Sequence, residues 1–343
     1  MAQAHPQYKN ILVIHFGQLG DVVLGLPALR AIRDHFAESR ITVMSGTSTA
    51  EMIRIGNVAD EQIAVDRVKL RDGKRLESII EMGRLVRDVR RRKFDLVIDL
   101  NSLYETNLLG FLSGARHRLF ANRDRRSIDR LSNFPVKPPK EDRSLHHTDR
   151  YLAVLKAFGL TDISRTVTIT PPAESVEKAR SFVKTHGAEN RTLIGLFLGA
   201  GHPTRRWDIA NFVEVAKRLS CDPAKQVLVF LGPEERDMRE GVDEVFGDAA
   251  IVVDEMPLRD FLAMLSFLKV LVVGDTGPMH LGAVAGTGIV LLSEIGSPTF
   301  FRPLIENLRV IDDRPLAEIT VDQVVKAVHE LIEHPAASDF EHC

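Results

Sequence analysis

Short runs of β-branched and aliphatic residues recur along this chain, each followed within a few residues by a stretch with helical spacing. NILVIHF, FDLVIDL, TLIGLFL, QVLVFL and KVLVV are apolar at nearly every position, not at alternate ones. That is the pattern of strands buried on both faces of a sheet. Strands are expected at 10–16, 41–45, 62–65 and 94–100, with helices at 22–35, 48–55 and 76–92 between them. A polar, proline-containing loop at 121–144 and a helix at 147–158 follow, the helix ending at Gly159. After a Thr-rich segment at 161–173 the alternation restarts, with strands at 192–198, 226–231, 250–253, 269–273, 289–292 and 308–311 and a final helix at 321–333. Short connections between such strands require parallel sheets covered on both sides. At 343 residues the chain is long for a single core. The expected fold is α/β: two doubly wound, Rossmann-like domains, 1–165 and 166–343, facing across a cleft, the last helix able to pack back on the first domain.

Ligands in such sheets gather at the carboxyl ends of strands. Four segments lie there: the glycine turn leading to Asp21, GAGHPTRRW at 199–207, GPEER at 232–236, and DTGPMH at 275–280. The last combines a strand end, a hydroxyl and the start of a helix, an arrangement suited to a phosphate. Asp-Thr-Gly alone reads better as an ordinary turn with Asp275 or Thr276 as the cap; the trailing Pro-Met-His and the other segments shift the balance to phosphate binding. Asp21 reads as a capping carboxylate or as a general base for an incoming hydroxyl, and these residues alone favour the cap. The 199–207 loop offers glycines for close backbone approach, a hydroxyl and two guanidiniums able to grip phosphate oxygens; Trp207 reads as a packing residue. Glu235 suits a ribose diol as well as a helix N-terminus, and His280 a phosphate as well as a structural contact.

The glycine turn at 17–21 has neither the Gly-x-Gly-x-x-Gly of a dinucleotide site nor the Gly-Lys-Ser/Thr of a nucleotide-hydrolysing loop. Two cysteines, Cys221 and Cys343, make neither a disulfide framework nor a metal motif. No window approaches the roughly 18 apolar residues of a membrane span, and the N-terminus lacks the pattern of a signal peptide, so a cytoplasmic protein is expected. Net charge is only −2, but Arg116, Arg118, Arg123, Arg125 and Arg126 crowd one stretch with a single acid, Asp124. This stretch suits phosphates or an anionic surface; without interleaved aromatics it does not suit nucleic acid. A second basic run at 87–93 reads as a solvated helix face.

The set ILVIHFGQLGDVVLGLPALRAI, GAGHPTRRW, FLGPEER and GDTGPMHLGAVAGTGIVLL, in this order and over essentially the whole chain, resembles the bacterial lipopolysaccharide heptosyltransferases. That resemblance implies a glycosyltransferase B-type fold and an inverting transfer of heptose from ADP-heptose, as donor substrate, to a phosphorylated lipid A–inner core acceptor. It implies no cofactor and no metal, and a peripheral contact with the cytoplasmic face of the membrane. Residue by residue, it puts Asp21 at the catalytic base, and Thr204, Arg205, Glu235, Asp275, Thr276, Gly277 and His280 around the donor. On the acceptor side the candidates are His15, Arg116, Arg123 and Arg126, with His146 and Arg150 in a His-x-x-x-Arg pattern. Two departures stand out: His15 occupies a strand position where many relatives carry Arg or Lys, and LSEIGSPT at 292–299 replaces an aromatic-Gly-Pro-Thr-x-Pro segment.

Overall fold

A computed structural model describes residues 8–72, 75–124, 126–200, 205–232, 239–253 and 255–334. The chain divides into two compact units, Met1–Val167 and Thr168–Cys343.

The first unit runs β1 (Asn10–Ile14), α1 (Leu19–His35), β2 (Arg40–Gly46), α2 (Ala50–Ile55), β3 (Glu61–Val65), α3 (Arg67–Asp72), α4 (Arg75–Arg91), β4 (Leu96–Asp99), α5 (Tyr104–Leu112), β5 (His117–Phe120) and α6 (His147–Leu155). Its five strands are all parallel, in the order β3-β2-β1-β4-β5. The central strand β1 is hydrogen-bonded on both edges, with Val13 opposite Val43 on one side and Ile98 on the other. Ile11, Leu12, Val13 and Ile14 are wholly buried, as unbroken apolar strands require. Val89 of α4 and Leu109 of α5 belong to one core cluster with Leu12, Ile14 and Val97, so both helices cover the same face of this sheet. Helix α1 packs against α6.

The second unit runs α7 (Ala173–Thr185), β6 (Thr192–Phe197), α8 (Ile209–Ser220), β7 (Lys225–Phe230), α9 (Val242–Phe246), β8 (Ile251–Val253), α10 (Leu258–Ser266), β9 (Val270–Gly274), α11 (Gly277–Val284), β10 (Gly288–Leu292), β11 (Leu308–Ile311) and α12 (Val321–Glu333). Its six strands are also parallel, in the order β11-β10-β9-β6-β7-β8. Asp208 caps α8 by accepting the Ala210 N–H at 2.9 Å, and Thr320 and Gln323 form a capping box on α12. Val324, Ala327, Val328 and Leu331, at helical spacing, bury α12 against β9–β11 and α8. Trp207 is a core residue: its indole N–H donates to the Ile319 carbonyl at 3.1 Å and its ring meets Phe212 edge-on at 5.0 Å.

β1 of the first sheet and β6, β7 and β9 of the second stop just before the segments picked out from sequence. The boundaries differ in two instructive places. Helix α1 begins at Leu19, earlier than expected, so Asp21 lies inside its first turn. Helix α11 begins at Gly277, because Pro278 in the first turn has no N–H to lose there and does not break the helix.

Candidate active site

Leaving β1, the chain passes through His15, Phe16 and Gly17 into α1. A Cβ on Gly17 would lie 2.5 Å from the Asp21 Cβ, so only glycine lets the turn close on that side chain. Asp21 Oδ2 accepts the Gln18 N–H at 3.0 Å, satisfying one of the donors left open at a helix start. The capping role is therefore real, and it occupies one oxygen. The other, Oδ1, lies 3.9 Å from His147 Nδ1, and the Asp21 side chain keeps 29% of its surface exposed. Burial, with Arg150 and Arg123 nearby, pushes His147 down to about 3. It therefore meets the carboxylate as a neutral imidazole and not as an ionic partner.

Behind Asp21 stands a closed polar network. His15 is fully buried; its ring makes a 2.9 Å Nδ1 contact with Asn101 Oδ1 and places Nε2 3.2 Å from the Asp21 carbonyl oxygen. Asn101 Oδ1 also accepts the Phe16 N–H at 2.7 Å, which identifies that atom as the oxygen and assigns the imidazole proton to Nδ1. Burial holds His15 below the usual imidazole range. A neutral ring carries one N–H, so the Nε2 contact becomes a hydrogen bond only on a second protonation. His15, expected among the acceptor contacts, thus faces the interior and sits beneath the backbone of Asp21.

Asn101 is set in turn by Asp99, the fully buried last residue of β4. The Asp99 carboxylate accepts the N–H groups of Asn101 at 3.1 Å and Ser102 at 2.7 Å, the Thr106 hydroxyl at 2.5 Å and the Asn107 side-chain amide at 2.9 Å. These bonds hold Ser102 at φ 45°, a left-handed conformation unfavourable for a residue with a Cβ. Desolvation outweighs them and raises Asp99 to about 6.

The other acceptor-side candidates separate by burial. Arg123 donates to the Asn101 carbonyl at 2.7 Å and pairs with Glu141 at 3.1 Å, the two side chains only 9% and 11% exposed. Arg118 is likewise committed, to the carbonyls of Leu131 and Ala115 and to the face of Phe111. Arg116 and Arg126 are exposed, and Arg125 lies outside the described residues. His146 caps α6, its Nδ1 accepting the Thr148 N–H at 3.2 Å, while Arg150 donates to the carbonyls of Leu145 and Arg143. Sequence reasoning missed Asp99, Asn101 and His147. The first two lie at a strand's carboxyl end, the signal used for the other segments, and the third was overshadowed by its neighbour His146.

In the second unit the structure joins two of the expected segments. β6 and β9 are neighbours, and a Cβ on Gly274 would sit 3.8 Å from the Arg205 carbonyl oxygen and 4.0 Å from that of Gly199. A recess of about 10 Å³, room for a single water, lies there, lined by Gly199, Arg205, Arg206, Trp207, Gly274 and Leu292. Thr276 precedes α11 in an extended conformation and its hydroxyl does not cap the helix. Asp275, Thr276 and Gly277 are half-buried, His280 is buried on the same helix, and Arg205 is exposed. Thr204 and Glu235 lie outside the described residues. Among the described residues no three His, Cys, Asp or Glu side chains gather as metal ligands would.

A model of glycosyltransferase family 9 (heptosyltransferase) matches residues 82–324. Lipopolysaccharide heptosyltransferase 2 of Escherichia coli K12 is 23% identical over 313 residues, 88% of this chain and 87% of that protein. Among solved structures, a family 9 glycosyltransferase from Veillonella parvula superposes with a TM-score of 0.83 at 26% identity, covering 96% of this chain and 98% of that one. E. coli ADP-heptose lipopolysaccharide heptosyltransferase II superposes with a TM-score of 0.77 at 20% identity over 94% and 98% of the two chains.

Proposed function

The chain belongs to glycosyltransferase family 9 and is a glycosyltransferase; from that premise we propose that it moves heptose from ADP-heptose to a phosphorylated sugar of a lipopolysaccharide inner core, with inversion. The first unit supplies the base and the acceptor contacts, the second the donor contacts. Asp21 Oδ1 takes the proton of the acceptor hydroxyl as its oxygen attacks the anomeric carbon. The bond from that carbon to the diphosphate breaks in the same displacement, and its electron pair leaves with ADP. Charge growing on the departing diphosphate is met by Thr204, Arg205, His280 and the backbone at the start of α11, a preorganised set. Glu235 and Asp275 complete the donor contacts, and no metal takes part. Arg116 and Arg126 receive acceptor phosphate, while His15, Arg123, His146 and Arg150 hold the walls around Asp21.

The observation that carries this reading is the division of labour on Asp21: Oδ2 is spent on a backbone N–H, while Oδ1 lies beside a neutral imidazole on a side chain that keeps 29% of its surface exposed. Asp21→Asn keeps the side chain's shape and removes the proton acceptor. We expect turnover to fall by roughly 10²–10⁴, with ADP binding by calorimetry unchanged. Near-wild-type turnover in that variant overturns the base assignment. A mass-spectrometric screen of ADP-heptose against UDP- and GDP-sugars tests the donor separately, and transfer from either of the latter replaces ADP-heptose.

A further inference from the structure

His147 takes no part in the displacement itself, yet it faces the oxygen that does. It is the first residue of α6, and its Nδ1 stands 3.9 Å from Asp21 Oδ1. That is beyond hydrogen-bond reach but close enough for a charge there to act strongly on the carboxylate. The ring meets Tyr151 edge-on at 5.9 Å, and Tyr151 in turn meets His15 edge-on at 4.8 Å. Tyr151 is buried and the His147 side chain is only 15% exposed, so the imidazole has little room to swing away. An imidazole facing a carboxylate would ordinarily take up a proton and pair with it. Here the surroundings oppose that. The first turn of a helix carries the positive end of its dipole. The ring is buried, Arg150 on α6 and Arg123 in the segment after β5 add positive charge, and His146 and His15 act in the same sense. Acids that could offset them are engaged elsewhere: Asp149 grips Arg165 with both oxygens, at 2.8 and 2.7 Å, and Glu141 pairs with Arg123 at 3.1 Å. Both guanidiniums are turned to backbone carbonyls, Arg123 to that of Asn101 and Arg150 to those of Leu145 and Arg143.

On the reading that Asp21 is the base, we propose that His147 is a positioning residue of the transfer: it fills the space against Oδ1 with an uncharged ring edge and keeps cations off the carboxylate, so that Asp21 retains the proton affinity that attack by the acceptor hydroxyl needs. A cation at that distance would stabilise the carboxylate and make it a weaker base. His147 thus acts through Asp21 and not on the sugar. Its presence lets Arg123 and Arg150 stand close by without disarming the base.

The test is an NMR titration of the aspartate carboxyl carbons in the full chain, the Asp21 signal being assigned by its loss in Asp21→Asn. His147→Lys is expected to lower the Asp21 midpoint by about one pH unit or more. His147→Asn, which keeps a neutral polar atom near the place of Nδ1, should leave it within about 0.3 of a pH unit. With ADP-heptose and a deacylated core acceptor, the acid limb of the kcat/KM profile should move with that midpoint. In wild type the imidazole nitrogen signals of His147 should show a neutral ring at about pH 5, below the usual imidazole range, a reading that decides the matter even if His147→Lys does not fold. An imidazolium at that pH, equal midpoints in His147→Lys and wild type, or a midpoint that moves while the kinetic limb stays overturns the proposal. The titration needs no substrate, so a failure of this role is distinct from a failure of the base itself, which would show as near-wild-type turnover in Asp21→Asn and would take this role with it.

Discussion

Gly25→Ala tests whether the buried imidazole beneath Asp21 is as rigidly held as its contacts indicate. Gly25 lies inside α1, and a Cβ there would fall 2.3 Å from His15 Nε2, 2.9 Å from Cε1 and 3.0 Å from Cδ2. Ordinary contacts between such atoms are about 3.5–4.0 Å, so the ring or the helix must move by about an ångström. The ring has little room to retreat: Tyr151 stands edge-on at 4.8 Å and Asn101 holds Nδ1. Overpacking of this kind costs roughly 1–3 kcal/mol, and loss of the His15–Asn101 hydrogen bond adds about 1 kcal/mol. Against that, Ala is better than Gly in a helix interior by about 1 kcal/mol. A net destabilisation of about 1–3 kcal/mol is expected, read by urea unfolding. The double-mutant cycle carries the argument. In a His15→Ala background the new methyl enters the vacated ring space and only the helix-propensity gain remains, so Gly25→Ala should become neutral or stabilising. The coupling is then about 2–4 kcal/mol. An equal loss in both backgrounds would mean that the helix backbone and not the imidazole meets the methyl, and the account of His15 as a fixed support would fail.

Asp99 titrates near 6 when folded against 3.8 as its ordinary value, so the folded state holds its proton more tightly and this group's contribution is full below about pH 4 and lost as pH rises through 6. The loss amounts to about 3 kcal/mol; wild type should lose that much relative to Asp99→Asn between pH 4 and 7 by urea unfolding, and parallel pH profiles would refute the buried charge. Thr276→Val should weaken donor binding roughly tenfold, a single lost hydrogen bond, without changing the melting temperature, since the hydroxyl caps nothing; a drop in stability would make it a structural residue. Arg123→Met leaves the nearly buried Glu141 only the exposed Arg143, at 3.7 Å, and should cost about 3 kcal/mol, whereas Arg126→Gln should leave stability within about 0.5 kcal/mol and raise the Michaelis constant for a phosphorylated acceptor. Equal stability effects would refute the split of the basic stretch into supporting and binding arginines.

The parts of the fold that were legible in sequence are those where side-chain pattern and environment agree. Strands wedged between two helix layers have no polar face, so NILVI and KVLVV announce themselves. Helix α12, with Val324, Ala327, Val328 and Leu331 inward, is an equally direct case. Helix α5 was not expected at all, because its pattern is largely inverted: apart from Leu109 the inward positions are claimed by the Asp99 network and by close approach to Phe120, and Tyr104, Leu108 and Phe111 look outward. Strand β5 was hidden for a related reason. His117 and Arg118 carry the charge of a surface loop, but Arg118 folds its guanidinium back onto the carbonyls of Leu131 and Ala115 and lies on Phe111, so an edge strand is shielded by a residue that reads as solvated.

The site was legible in part for a different reason. Asp21 posed a choice between cap and base, and the choice was not a true one. A carboxylate has two oxygens, and the bond from Gln18 N–H to Oδ2 limits the side chain's rotation while leaving Oδ1 its acceptor capacity. A capping bond thereby fixes the direction of the other oxygen, which is what a general base needs from its surroundings. The same economy runs one layer deeper. Asp99 accepts two backbone hydrogen bonds that place Asn101 and hold Ser102, and two more from Thr106 and Asn107; Asn101 spends one oxygen on both Phe16 and His15, and His15 stands under the helix turn that presents Asp21. None of these intermediates touches solvent freely, so no pattern of exposure or charge in the sequence could mark them. Only the convergence of β1 and β4 as neighbouring strands brings residues 15, 21, 99 and 101 together, and that adjacency is a property of the sheet order, not of any local stretch.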